Sequence, residues 1–128
     1  MAINRQYIFL FIGRSILGLY FILPGIMKIT YWNAHIELMN KHHMILVPYL
    51  LILAAMLEMA LGGMLLMNYK TFYSALCLVG LVVLINLNLH DFWNTSGIEK
   101  AHELQNFIKN IGIIGGLLIL TGQKYIDA

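Results

Sequence analysis

Asn86-Leu-Asn-Leu-His-Asp-Phe-Trp93 ends a long apolar run in a crowd of polar groups, and Lys109 and Asn110 recur early in the next run. Asn86 and His90 are four residues apart, as are Gln105 and Lys109, so on helices each pair stacks one turn apart. Together with Lys28 at the end of the first apolar run, the residues Asn86, His90, Asp91, Lys109 and Asn110 form a candidate layer near one membrane surface. Histidine titrates near neutrality, an adjacent aspartate can orient it, and lysine can stabilise an anion. Such a set suits binding of a quinone carbonyl and passage of its protons. Ordinary interfacial polarity with snorkelling lysines would place the same residue types there without any chemistry.

Two further charges lie deeper. Glu58 stands alone within Leu50–Met67, and Arg14 within the first apolar run. An ionisable side chain at mid-membrane depth costs roughly 2.5–3.5 kcal/mol on insertion scales, so it is normally paired or faces a cavity. With a helical rise of 1.5 Å per residue and depths counted from the side of the termini, Arg14 lies about 12 Å in and Glu58 about 13 Å in. Equal depth predicts a structural Arg14–Glu58 ion pair between the first two spans, with guanidinium engaging carboxylate. A proton relay or ligand anchor is the second reading of Glu58.

Other chemistries are weaker. His35, Met39 and His42 are four and three apart and fall on one face of a possible helix, a donor set that suits copper, although polar residues on an amphipathic segment would look the same. Haem would need histidines facing each other across a bundle, and only His90 lies near a span. With no Gly-rich phosphate loop and no Ser/His/Asp constellation, no haem, flavin or nucleotide is expected. Cys77 is the single cysteine and falls in an apolar run, which reads as a small buried hydrophobe and offers no disulfide or dithiol pair.

The elements that must carry these residues follow from composition. The 128 residues are 60% hydrophobic and 11% charged, and mean hydropathy is +0.77. These values lie outside the range of soluble domains and point to a membrane protein. A formal charge of +2, with scattered basic residues, argues against nucleic acid as a partner. Four runs are long enough to cross a hydrocarbon core as helices: Gln6–Ile29, Leu46–Met67, Thr71–His90 and Leu104–Gly122. The first is too long, and too interrupted by Arg14 and Pro24, for a cleavable signal sequence.

The expected architecture is therefore all-α, an integral membrane four-helix bundle of one domain spanning 1–128, with both termini on one side of the lipid bilayer. Thr30–Ile45 mixes Trp32, Ile36, Leu38, Met39 and Met44 with polar residues and predicts an interfacial segment between helices 1 and 2. Arg14, Gly18, Phe21, Gly25 and Lys28 share one helical stripe, as do Leu51, Ala55, Glu58, Gly62 and Leu65, and both stripes are expected to face protein. Gly112 and Gly116 form a small-xxx-small pair that predicts close helix packing. Arg5, Lys70 and Lys124 on the terminal side balance Lys28, Lys41 and Lys100 on the other. The acidic excess opposite the termini then leans toward termini in the cytoplasm.

The order Arg14-x7-Ile22-x2-Gly25-x2-Lys28-Ile29, Glu58-x3-Gly62-Gly63, His90-Asp-Phe-Trp93, Phe107-x-Lys-Asn110-x4-Gly115-Gly116-Leu117 and Tyr125-Ile-Asp127 resembles the DoxX family of small four-helix membrane proteins along nearly the whole chain. The resemblance implies a subunit of a membrane redox system, since the namesakes include the membrane part of a thiosulfate:quinone oxidoreductase. It implies a bacterial inner (cytoplasmic) membrane, quinone as the possible cofactor and a protein partner or homo-oligomer. Its recurrent polar positions would be Arg14, Lys28, Glu58, His90, Lys109 and Asn110. The leading expectation is an integral membrane subunit of a quinone-linked oxidoreductase system that is not active alone. The alternatives are a non-catalytic anchor or scaffold for a partner redox enzyme, and a copper-binding membrane accessory protein.

Overall fold

A computed structural model describes residues 4–123. Tyr125, Ile126 and Asp127 of the terminal motif, and Lys124, lie outside the described residues. The chain forms α1 (Arg5–Thr30), α2 (Trp32–Lys41), α3 (Val47–Leu66), α4 (Thr71–Leu89), a short 3₁₀ turn (Phe92–Asn94) and α5 (Gly97–Gly122). Helices α1, α3, α4 and α5 are each long and apolar enough to cross a membrane. This is an all-α, integral membrane four-helix bundle, with α2 as the interfacial segment between the first two spans.

Helix ends match the hydropathy reading to about a residue except at the last span. There α5 begins at Gly97 and not at Leu104, because Ile98-Glu-Lys-Ala-His-Glu is helix-forming although too polar to lie in lipid. Hydropathy marks the hydrocarbon slab and not where the helix starts. Consequently His102 and Glu103 stand on α5 itself.

Each spanning helix packs mainly on its neighbour in the order α1, α3, α4, α5, and α1 against α3 is the most extensive contact. Their directions alternate. Asn68 and Lys70 adopt left-handed backbone conformations in the tight turn from α3 to α4, and the Thr71 hydroxyl donates to Asn68 Oδ1 at 2.7 Å. The two predicted stripes are the buried ones: Arg14, Gly18, Phe21 and Gly25 on α1, and Val47, Leu51, Ala55, Glu58, Gly62 and Leu65 on α3. Opposite faces expose large apolar side chains such as Phe9, Ile16, Leu53, Met56, Leu84 and Ile119, as lipid contact requires.

Lipid tails are as apolar as leucine, so spans associate through close packing more than through exclusion of water. Here the close approach is Gly18 against Gly62. A Cβ added at Gly18 would sit 2.8 Å from Gly62 O, and one at Gly62 would sit 2.7 Å from Gly18 O. Gly25 fits against Ala55, Glu58 and Met59. The expected close packing at Gly112 and Gly116 does not occur among the described residues. A Cβ at Gly112 would meet nothing within 4 Å, and one at Gly116 only the Leu17 methyls at 4.0 Å. Helix α5 instead contacts α4 through larger residues, with Leu117 and Leu120 joining Phe21, Leu65, Leu78 and Val82 in the core. A second cluster of Met39, Val47 and Leu51, flanked by Trp32, Ile36 and Leu89, seats α2 on the bundle.

Gly62→Ala should lower stability by about 1–3 kcal/mol, because the new methyl meets backbone that cannot move aside. Gly63→Ala, at a position with open space, should be neutral or raise stability by up to ~1 kcal/mol through helix propensity. Thermal unfolding of the two variants in detergent measures the contrast.

Candidate functional site

The glycine contacts fix the antiparallel register of α1 on α3, and with it the partner of each buried charge. Arg14 lies beside the end of α3, where Nη1 donates to Leu65 O at 2.7 Å and to Leu66 O at 3.3 Å. The last carbonyls of a helix lack partners within it and carry the negative end of its dipole, so a guanidinium is satisfied there without a carboxylate. Glu58 pairs instead with Lys28, Nζ to Oε2 at 3.0 Å, and the carboxylate side chain is 4% exposed. The expected Arg14–Glu58 pair is therefore incorrect. Equal depth presumed that both helices begin at one plane, whereas α1 is staggered along α3 so that Gly25 and not Arg14 stands beside Glu58. Both residues are buried, as their stripes predicted.

The candidate layer divides into separate contacts. Asn86 is buried and donates through Nδ2 to Phe107 O at 3.1 Å. Asn110 Nδ2 donates to Asn86 Oδ1 at 2.8 Å, and the Tyr20 hydroxyl donates to Asn110 Oδ1 at 3.3 Å. This chain of donors ties α1, α5 and α4 together. His90 Nδ1 lies 2.9 Å from Glu103 Oε2, not on Asp91. Asp91 faces His42 Nδ1 at 2.8 Å and accepts from Asn94 Nδ2 at 2.8 Å. Adjacent residues past a helix end diverge, so Asp91 does not orient His90. Lys109 is exposed and has no ion-pair partner among the described residues. It is one residue, about 100° of helix, away from Asn110, which occupies the face toward α4.

Sequence reading missed Glu103 because it lay outside the predicted span, and Tyr20 because it lies off the buried stripe. The i, i+4, i+7 spacing of Glu103, Phe107 and Asn110 is the signal that could have found the first.

His35 and Met39 line one cavity and His42 another, so the proposed copper triad does not converge. His35 Nδ1 lies 2.9 Å from Tyr31 O, and Met39 is packed in the core beneath α2. No group of three or more His, Cys, Asp and Glu residues placed to hold a metal occurs among the described residues. Cys77, expected to be buried, is exposed on α4.

The first cavity, of about 320 Å³, is an apolar groove between α2, α3 and α4. Leu50, Leu57, Leu81 and Ile85 line it, and Leu53 and Leu84, exposed on the lipid-facing surface, form its rim. Lys28, His35 and Asn88 are the polar residues of the lining, and Lys28 brings the buried Glu58 behind it. The other cavity, of about 630 Å³, is polar and lies at the surface between the end of α2 and the α4–α5 connection. Lys41 pairs with Glu99 across it at 2.9 Å. That hydrogen bond, and then the carboxylate's charge, hold the Lys41 ammonium above the usual lysine pKa. Both side chains are exposed, so the contact adds little stability.

A family model for DoxX matches residues 9–91. The chain belongs to the DoxX family. The match runs from α1 to the end of α4, so the DoxX region contains Arg14, Lys28, Glu58, Asn86, His90, Asp91 and the whole groove lining. It stops short of α5, where Lys109 and Asn110 lie, and is thus shorter than the nearly full-length likeness read from the motifs. No curated protein and no solved structure matches the chain.

Lys28→Ala or Glu58→Ala alone should destabilise this DoxX protein by about 3–5 kcal/mol, since each leaves a buried charge without its partner, and the double replacement should cost less than the sum. Arg14→Ala combined with Glu58→Ala should be additive within about 0.5 kcal/mol, as the two residues share no partner. A double-mutant cycle on unfolding in detergent distinguishes the pairings.

Proposed function

We propose that this DoxX protein is the integral membrane subunit of a quinone-linked oxidoreductase system, with the groove between α2, α3 and α4 as its quinone site. The observation that carries this reading is the groove's composition: apolar walls, an opening on the lipid side and an ammonium at Lys28. Ligand sites of this kind are mostly apolar with a few placed polar groups, which suits a ring head with an isoprenoid tail. Lys28 would donate to a quinone carbonyl while α3 and α4 hold the tail. A partner subunit would supply the electrons. The family resemblance favours a bacterial inner membrane, and the acidic excess opposite the termini favours a cytoplasmic location for both.

A non-catalytic anchor for a redox enzyme is the second reading. It is favoured by the polar side chains themselves, because no buried side-chain nitrogen or oxygen lacks a hydrogen-bond partner among the described residues.

Titration of the purified protein with a decyl-tailed benzoquinone separates the two. The quinone reading expects saturable binding that Leu84→Trp, filling the groove at its lipid rim, weakens roughly tenfold or about 1.4 kcal/mol. His90→Ala, outside the lining, should leave it unchanged. Absence of binding, together with stoichiometric co-purification of a redox enzyme, would decide for the anchor.

A further inference from the structure

Glu58 is the buried ionisable group to which a quinone site assigns no task. It does not line the groove, but Lys28 does, and Lys28 gives a hydrogen bond to Glu58 Oε2 at 3.0 Å. An ammonium has three donors. Lys28 has no other acceptor among the described residues, so donor capacity remains at the wall of an otherwise apolar space. The other polar lining groups have backbone partners: His35 Nδ1 is at 2.9 Å from Tyr31 O, and Asn88 Nδ2 donates to Leu84 O at 2.8 Å.

Charge balance then limits what Lys28 can receive. The Lys28–Glu58 pair has zero net charge wherever the proton between the two sits. A head group with a neutral carbonyl accepts a free donor and leaves the site neutral. An anionic head would make the site −1 at a place where the nearest counter-charge is already committed, and uncompensated charge is strongly disfavoured away from water.

We propose that Glu58 sets the head-group selectivity of the groove: by neutralising Lys28 it admits lipids with a neutral carbonyl head and rejects those with an anionic one. The proposal rests on the groove being a ligand site, as above, and adds the chemical class that the site takes. Glu58 acts through Lys28 and is a positioning residue.

Three probes with comparable tails test it: the decyl-tailed benzoquinone, dodecanamide with a neutral carbonyl, and dodecanesulfonate, which remains anionic. Affinities are measured calorimetrically in maltoside micelles. The wild-type protein should bind dodecanamide and the quinone at least roughly tenfold more tightly than dodecanesulfonate, a difference of about 1.4 kcal/mol. Glu58→Gln, which keeps the shape and leaves the ammonium uncompensated, should abolish or reverse that ratio. His90→Gln, outside the lining, should preserve it, and loss of the ratio there would overturn the assignment to Glu58. Should Glu58→Gln fail to fold, Lys28→Met/Glu58→Gln buries no lone charge and should weaken the amide and the quinone about tenfold; unchanged affinity would overturn the role of Lys28. Equal binding of amide and sulfonate by the wild-type protein, or an unchanged ratio in folded Glu58→Gln, would overturn the selectivity and leave the groove as a site. Failure of all three probes to bind would overturn the site and the selectivity together.

Discussion

The bundle depends on the backbone contact between α1 and α3, where Gly18 and Gly62 stand so close that neither could carry a methyl group without displacement. In lipid, where apolar side chains gain little by leaving their surroundings, such a contact is one of few forces that fix how far one helix slides along another. Its register has electrostatic results. It brings buried Arg14 to the carbonyl end of α3 and lowers Lys28 to the level of Glu58, so that each cation meets a partner on α3. A shift by one turn along α3 would move each about 5.4 Å from its partner.

Because Arg14 is satisfied by carbonyl oxygens, Glu58 is left to Lys28, and because Lys28 reaches Glu58 from the groove wall, the apolar space acquires a neutral but donating polar end. Packing of glycines thereby decides the chemistry of a cavity on the other side of α3's buried stripe. Helix α2 completes that cavity through His35, Leu38 and Met39, and its seat on Val47 and Leu51 holds it there.

Helix α5 is held differently. It shares core residues with α4, and its link to α1 includes the Tyr20–Asn110 hydrogen bond and the Leu17–Gly116 contact. The asparagines at 86 and 110 cost little there since each meets a partner, and an unsatisfied amide in hydrocarbon would not be tolerated. At the surface opposite the start of α1 and the end of α5, His42–Asp91, His90–Glu103 and Lys41–Glu99 join α2, the α4–α5 connection and α5. The DoxX match contains the groove completely but not α5, so the helices that build the groove are those the family model describes.

The sequence by itself determined the four spans, the interfacial helix and the inward faces of α1 and α3, because hydropathy and 3.6-residue periodicity are properties of single helices and need no neighbour. It also identified Arg14, Lys28 and Glu58 as residues requiring satisfaction, since burial of charge is costly wherever it occurs. Which partner each takes was decided only by tertiary structure. Depth counted from helix ends carries no information about stagger, and a guanidinium can be satisfied by carbonyls that no side-chain inventory contains. For the same reason the layer of Asn86, His90, Asp91, Lys109 and Asn110 separated into distinct contacts, while the groove, whose walls come from three helices, had no signature in any one of them. Glu58, a lone carboxylate in an apolar run of sequence, is the counter-charge of the lysine that faces that groove.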